Sequence, residues 1–119
     1  GLVLLYGFAD LERMFEHALT RLEWPPPLRR GAVALASHLA QGFEPSRHLG
    51  GLATTPVLLV NDLDDHLVPR QCVEALHRAA PPGATVHIVK TGHVRPKKAE
   101  LIAELTELVF TWSDTLAME

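Results

Sequence analysis

The sequence predicts an α/β fold with three layers, in which helices flank a parallel sheet, and the element order β-α-α-β-α-β-α. Short apolar runs at residues 2–6, 56–60 and 85–89 are each bounded by glycine, proline or polar residues. Runs of this kind are typical of strands buried in a parallel sheet. Stretches with apolar residues at helical spacing separate them. Strands that alternate with helices are joined by crossovers and lie parallel.

The first half of the chain contains one predicted strand and two predicted helices. Gly7 ends the first strand, which we expect to be buried on both faces, and Asp10 is a suitable N-cap for the first helix. Prolines at residues 25–27 are expected to end that helix, since proline lacks the amide hydrogen. The second helix is predicted over residues 28–41, and residues 42–51 are predicted to form a loop. The residues expected on the inner side of the second helix are Ala34, Leu35, His38 and Leu39.

The second half of the chain alternates strands and helices. The second strand precedes an acidic loop, residues 61–69, and a helix predicted over residues 71–80. The third strand precedes another loop, residues 91–95. The last helix is predicted to start at Pro96, a position that proline favours, and its apolar stripe extends over residues 101–112.

Composition limits the function classes. The chain has 119 residues, 47% of them hydrophobic, and we expect residues 1–119 to be a single, partial domain. The net charge of −3 gives no indication of nucleic acid or of an anionic membrane as partner. No apolar run reaches the length of a transmembrane segment and no signal peptide is visible, so we expect a cytoplasmic protein. The first residue is Gly1, inside an apolar run, and we expect the natural chain to continue upstream.

Two loops carry the ionisable residues of interest. In an open parallel sheet, functional groups gather in the loops at the carboxyl ends of the strands. We therefore expect an acid from one loop to meet a histidine from the other, where the acid would orient the ring and the ring would act as a general base. The residues concerned are Asp62, Asp64, Asp65 and His66 in the first loop, and Lys90, Thr91 and His93 in the second.

Two segments resemble parts of the α/β-hydrolase superfamily. The strand at residues 56–60 followed by Asp65-His66-Leu67-Val68-Pro69 resembles the strand and acid loop of that family, and Thr91-Gly92-His93 resembles its histidine turn. The resemblance extends over residues 42–112. It implies that Asp65 is the acid and His93 the base of a catalytic triad, with Asp64 as the competing acid. The first strand and the turn Tyr6-Gly7-Phe8 resemble the short-cap esterase, thioesterase and lipase branches of the superfamily.

The nucleophile of such a triad is not found in the sequence. The family places a serine in a G-x-S-x-G elbow, and Ser37, Ser46 and Ser113 lack the flanking glycines. Cys72 is expected in the core. The resemblance implies a serine hydrolase that cleaves an ester, thioester or amide of a small-molecule or lipidic substrate. It implies no cofactor and no metal, and a chain that is inactive without an upstream serine.

Three alternatives stay open at this stage. Asp62-Leu63-Asp64 after a strand resembles the D-x-D motif of haloacid-dehalogenase-like phosphatases, with Asp62 as nucleophile beside Mg²⁺. A hydrolase-fold chain could instead be a non-catalytic binding or dimerisation module, since exposed sheet edges favour pairing into a homo-oligomer. A metal site at His66 and His93 is a weaker alternative. The other histidines are interpreted as surface or core-edge residues: His17, His38, His48, His77 and His87.

Overall fold

The computed structural model describes residues 1–90, 93 and 98–119, and its centre is a three-stranded sheet. The strands are all parallel and lie in the order β1-β2-β3, with Leu2 opposite Val57 and Leu58 opposite Thr85. An α/β class with a parallel sheet flanked by helices is therefore confirmed. The strand bounds are Leu2–Leu5 for β1, Val57–Asn61 for β2 and Thr85–Ile88 for β3.

The strands differ strongly in burial. All five residues of β2 are buried, whereas β1 is only partly buried and all four residues of β3 are exposed. The expectation that the first strand is buried on both faces is therefore wrong. The reason is position in the sheet, because β2 alone has a neighbouring strand on both sides within the described residues. An apolar run thus predicts a strand but does not indicate whether it lies at the centre or at the edge.

Within the described residues, five α-helices connect and flank the strands. The predicted loop over residues 42–51 contains a short helix and parts of two 3₁₀ turns, Gln41–Phe43 and Gly50–Leu52. The predicted helix start at Pro96 lies outside the described residues. The helix bounds are Leu11–Arg21 for α1, Pro26–Ala40 for α2, Ser46–Leu49 for α3, Arg70–Ala79 for α4 and Ala99–Ala117 for α5.

The side chains of β2 point alternately to two cores, as the two-residue period of a strand requires. Leu58 and Val60 pack with α5 on one face of the sheet, in a cluster that contains the buried Leu101 and Leu105. Val57 and Leu59 pack on the other face with residues of α3 and α4, namely Leu49 and Leu76. The sheet therefore lies between two layers of helices, and α5 alone covers the first face among the described residues.

The helices α1 and α2 pack on each other and bury little. No residue of α1 is buried, and Val33 is the single buried residue of α2. The prediction for the inner side of α2 is wrong, since the four residues concerned are all exposed. Those residues are Ala34, Leu35, His38 and Leu39. Because α2 carries apolar residues around most of its circumference, spacing alone does not select the face that meets α1.

The end of α1 also differs from the prediction. The helix stops at Arg21, before the prolines, and Glu23 takes the left-handed conformation with φ of 59°. The amide of Glu23 donates to the carbonyl of Thr20, and the amide of Trp24 donates to that of Leu19. These two bonds form a Schellman motif, which satisfies the last carbonyls of the helix. The prolines instead form the first turn of α2, where no amide hydrogen is needed.

The start of α1 is held by two carboxylates. Asp10 is the N-cap, as predicted, and its side chain accepts from the amide of Arg13 at 3.3 Å. The carboxylate of Glu44, from the segment after α2, accepts from the amides of Asp10 and Leu11 at 2.8 Å each. Burial alone would raise the pKa of Glu44, but these amide donors hold it below its ordinary value of 4.5. Glu44 therefore ties both ends of the α1–α2 pair together.

Candidate functional site

The candidate site lies where β2 and β3 end. The loop after β2 contains Asp65, and His93 follows β3 by five residues. The amide of Val89 donates to the carbonyl of Asn61 at 2.9 Å, which keeps the two chains paired up to the point where they diverge. Because the strands are parallel neighbours, both loops leave the same edge of the sheet.

Asp65 and His93 are in direct contact at this edge. Nδ1 of His93 lies 2.6 Å from Oδ2 of Asp65, and the side chains are 27% and 2% exposed, respectively. The other carboxylate oxygen, Oδ1, accepts from the amide of Leu67 at 2.8 Å. One oxygen thus fixes the carboxylate to its own loop and the other binds the ring. The expected meeting of an acid and a histidine is present, while a catalytic role for the two residues stays a prediction.

The contact determines where the ring carries its proton. An ionised carboxylate only accepts hydrogen bonds, so Nδ1 of His93 is the donor. In the neutral ring Nε2 is then the unprotonated nitrogen, and it is the atom able to take a proton from another group. A buried carboxylate next to Nδ1 also stabilises the charged ring that forms when Nε2 is protonated.

The neighbouring acids shape the loop. Asp62 is 4% exposed, and its Oδ1 accepts from the amide of Asp64 at 2.8 Å, while its carbonyl accepts from the amide of Asp65 at 3.3 Å. Asp64 itself is exposed. Of the two candidate acids, Asp65 is therefore the one that contacts the histidine. The contact between Asp62 and Asp64 turns the loop so that Asp65 faces β3.

The acid loop is also tied to α1. The carbonyl of His66 accepts from Nε2 of His17 at 2.9 Å and from the guanidinium of Arg21 at 3.3 Å. The His66 side chain is exposed and makes no part of this contact. The interpretation of His17 as a surface or core-edge residue did not include this contact with the acid loop. Nothing in the sequence pairs residues 49 positions apart, because the contact depends on how the α1–α2 pair packs.

A buried amide couples β2 to the turn after β1. Asn61 is 1% exposed, its Nδ2 donates to the carbonyl of Gly7 at 2.9 Å, and its Oδ1 accepts from Nε2 of His77 at 3.0 Å. Burial lowers the pKa of His77, because desolvation disfavours the charged ring. These contacts are not predicted by the sequence, although a polar residue at the end of an apolar strand indicates a need for hydrogen-bond partners.

Tyr6, from the turn Tyr6-Gly7-Phe8, is a residue of the site whose contact with His93 was not predicted from the sequence. Its ring centroid lies 5.0 Å from that of His93, with the planes inclined at 55°. The residue is 4% exposed and belongs to the core between the sheet and α5. Its φ of 55° lies in the left-handed region, which is uncommon for a bulky residue. Tyr6 therefore connects the packed core to the acid–histidine pair.

The side chains considered as nucleophiles differ in their surroundings, and the hydroxyl of Ser37 is buried with no hydrogen-bond partner among the described residues. Ser46 donates to the carboxylate of Glu44, and Ser113 donates to a carbonyl of α5. Cys72 is fully buried, as expected, and burial raises the pKa of its thiol to about 11, with the charge of Asp10 as a smaller cause. A thiol of this kind is inert near neutral pH. Among the described residues no serine or cysteine is therefore presented to His93 by any contact in the structure.

The part of the chain that the structure describes has neither a metal-binding cluster nor a membrane-spanning helix. Residues 1–90, 93 and 98–119 include no group of three His, Cys, Asp or Glu side chains arranged to hold a metal ion. Within the same residues, no helix has the length and apolarity required to cross a membrane. The predicted turn Thr91-Gly92 before His93 lies outside the described residues.

Comparison of the chain with models of protein families, with curated proteins and with solved structures finds no match. A function for the chain is therefore inferred from the geometry of the site and from the motifs quoted above.

Proposed function

We propose that this chain supplies the acid and the base of a serine hydrolase that cleaves an ester, thioester or amide bond. Asp65 is the acid, His93 is the base, and the serine comes from residues outside this sequence. The observation that carries the proposal is the 2.6 Å contact between the buried Asp65 carboxylate and Nδ1 of His93. The substrate class is a small or lipidic molecule with an acyl group.

Three features of the site support the proposal. The carboxylate is bound at both oxygens, so it presents a fixed acceptor to the ring. The ring is 27% exposed, so it is reachable from solvent although its partner is buried. The loops leave adjacent parallel strands at one edge, where ligands bind in open α/β sheets. A base oriented by a third group is the arrangement that activates a hydroxyl nucleophile.

The proposed reaction follows from the proton positions. Nε2 of His93 accepts the serine proton while the serine oxygen attacks the acyl carbon, and the Asp65 carboxylate stabilises the charged ring. The ring then gives that proton to the leaving alcohol, thiol or amine as the acyl bond breaks. Water attacks the acyl-enzyme by the same route in reverse, which releases the carboxylic acid and regenerates the serine.

The test uses the complete polypeptide encoded by the gene, together with the 119-residue chain. We expect a fluorophosphonate probe to label the complete polypeptide at a serine and to leave the 119-residue chain unlabelled. Asp65→Asn and His93→Gln should each lower the rate of ester hydrolysis about 10³-fold or more, because both residues act on one proton transfer. The matched control is Asp64→Asn, which changes an exposed acid of the same loop and should leave the rate within twofold.

Two results would contradict the proposal. One is a complete polypeptide that fails to react with the probe and to hydrolyse any acyl ester. The other is hydrolysis that persists in the Asp65 and His93 variants.

A second candidate function is dimerisation, and the open edge of β1 favours it. The amides of Leu2 and Tyr6 donate to the carbonyls of Pro56 and Val60. The alternation of a parallel ladder therefore directs the backbone groups of Val3 and Leu5 to the other side. No strand pairs with that side among the described residues. Next to it lies an apolar groove of about 330 Å³, lined by Leu5, Ile102, Leu105, Thr106, Val109 and Phe110. An unpaired strand edge beside an apolar groove suits a strand of a second copy.

Light scattering tests this second candidate. We expect a dimer population that rises with concentration in the wild-type chain and falls in Leu5→Lys, which places a charge in the groove. The matched control is Leu35→Lys, which charges an exposed leucine of α2 and should leave the mass unchanged. A monomer at all concentrations would remove this candidate.

A further inference from the structure

We infer that Tyr6 is the positioning residue that sets the plane of the His93 ring. The inference deepens the proposed function, on which it rests: Asp65 fixes one atom of the ring, and Tyr6 fixes the direction in which Nε2 points.

A single hydrogen bond does not orient an imidazole. The bond from Nδ1 of His93 to Oδ2 of Asp65 fixes the position of one nitrogen, but the ring can still tilt and turn about that bond. Nε2 lies on the far side of the ring, so a modest turn moves it away from the group whose proton it would accept. A general base needs that group within hydrogen-bond reach. Some second contact must therefore restrict the plane of the ring.

Tyr6 provides that contact. Its ring centroid is 5.0 Å from that of His93 and the planes are inclined at 55°. A tilted approach at this distance is a favoured arrangement for two aromatic rings, because the positive edge of one meets the negative face of the other. Tyr6 is 4% exposed and packs with Leu58, Val60 and α5, so its own ring has little freedom. A ring held in the core is therefore in contact with a ring that Asp65 holds at one atom.

The backbone of Tyr6 is held in place by the same strand that leads to Asp65. Its amide donates to the carbonyl of Val60 at 2.7 Å, and the carbonyl of the next residue, Gly7, accepts from Asn61. These bonds hold Tyr6 at a φ of 55°, a conformation that a tyrosine rarely adopts. Such strain persists where surrounding contacts over-determine it, and it is concentrated at functional sites. The strained conformation is what brings the ring to His93 at the end of β1.

The experiment is nuclear magnetic resonance on the 119-residue chain with ¹⁵N-labelled histidine, and His93→Gln assigns the ring. A ring that turns out of its plane loses the alignment of Nδ1 with Oδ2 of Asp65, so loss of the held plane weakens this bond. The ¹⁵N shifts report which ring nitrogen bears the proton, and thereby the ratio of rings bonded to Asp65 to rings turned away from it. We expect Tyr6→Leu, which removes the ring but keeps an apolar side chain, to lower this ratio roughly 2- to 10-fold. Tyr6→Phe keeps the ring, so its ratio should lie closer to that of the wild type than to that of Tyr6→Leu.

Two controls separate the effect of losing the Tyr6 ring from the effect of relieving backbone strain. Tyr6→Gly relieves the backbone strain and also removes the ring, so it should behave as Tyr6→Leu does. Glu23→Gly relaxes the same left-handed conformation, with φ of 59°, in the turn after α1 and should leave His93 unchanged.

The outcomes distinguish this inference from the proposed function. If Asp65→Asn abolishes the Asp65-bonded signal but Tyr6→Leu leaves the ratio unchanged, Tyr6 has no positioning role. The hydrogen bond between Asp65 and His93 is then still supported. If Asp65→Asn has no effect on the signal, the pair itself is absent and the proposed function fails with it. Should Tyr6→Leu not fold, the nuclear Overhauser effect between the two rings in the wild-type chain decides, because rings 5.0 Å apart must show one. Its absence would overturn the inference.

Discussion

Replacement of Asp65 by asparagine isolates the charge of the buried carboxylate. Asparagine has nearly the same shape, and its Oδ1 can still accept from the amide of Leu67. Its amide group would face Nδ1 of His93, so the ring must move its proton to Nε2 to accept there. The variant thus exchanges a charge-assisted hydrogen bond for a neutral one and reverses the tautomer of the ring.

The magnitude for asparagine follows from the single hydrogen bond between the carboxylate and His93. A hydrogen bond to a charged group contributes about 1.5–3 kcal/mol, and a neutral one about 1 kcal/mol. We therefore expect Asp65→Asn to lower the free energy of unfolding by about 0.5–2 kcal/mol. Asp65→Ala removes both acceptors and leaves two donors without partners at a side chain that is 2% exposed. We expect it to cost about 2–4 kcal/mol.

The assay is urea unfolding followed by the fluorescence of Trp24 and Trp112. With a slope of about 1–3 kcal/mol per molar urea, a loss of 1 kcal/mol shifts the midpoint by roughly 0.3–1 M. Asp64→Asn is the control, since that acid is exposed and its substitution should change stability by less than about 0.5 kcal/mol. The reasoning is refuted if the Asp65 and Asp64 variants unfold at the same urea concentration as the wild type.

The remaining predictions concern the helix end, a carboxylate and a buried histidine. Glu23→Gly should raise the free energy of unfolding by about 0.5–1 kcal/mol in the same assay, because glycine fits the left-handed position of a Schellman motif; an unchanged or lower midpoint would contradict this. The lowered pKa of Glu44 stabilises the fold above its ordinary value of 4.5, and this stability is lost as the pH falls through the lowered value. In Glu44→Gln the melting temperature should depend less on pH below pH 4.5 than it does in the wild type. An unchanged dependence on pH would exclude a stabilising role for the amide donors to Glu44. The pKa of His77 is lowered in the folded chain, so the unfolded chain binds a proton at this ring at a higher pH than the folded chain does. Stability should therefore fall as the pH drops below about 6.5. His77→Gln keeps a donor for Asn61 and should remove that part of the pH dependence; a profile identical to that of the wild type would contradict it.

The strands and most helices could be predicted because their signals are local. The apolar run of β2 depends only on residues that are close together in the sequence. So does the apolar stripe of α4, in which Val73 and Leu76 are buried. The same holds for Asp10, whose side chain caps the helix that begins one residue later. Short-range patterns of this kind depend on backbone geometry and not on the rest of the fold.

The face of α2 and the burial of the strands could not be predicted. Val33 points inward and Leu35 outward, although both are apolar and both fit a helical period. The choice depends on where α1 lies, which the spacing of α2 does not contain. The exposure of β3 likewise depends on its position at the edge of the sheet, which a strand's own residues do not reveal.

The candidate site divides in the same way. Asp65 and His93 could be proposed together because the carboxyl ends of adjacent parallel strands meet at one edge. Tyr6 could not, since its contact with His93 requires a left-handed conformation that a tyrosine side chain disfavours. The contact of His17 with the acid loop could not either, because α1 reaches that loop only through tertiary packing.

The most direct test is the proton position on His93 in the wild-type chain near neutral pH, measured by long-range ¹H–¹⁵N correlation. A triad base held by Asp65 must carry the proton of its neutral ring on Nδ1, with that proton strongly deshielded by the carboxylate. We expect this signal in the wild type and its loss in Asp65→Asn. A neutral ring protonated on Nε2, or a deshielded proton that survives in the variant, would contradict the account.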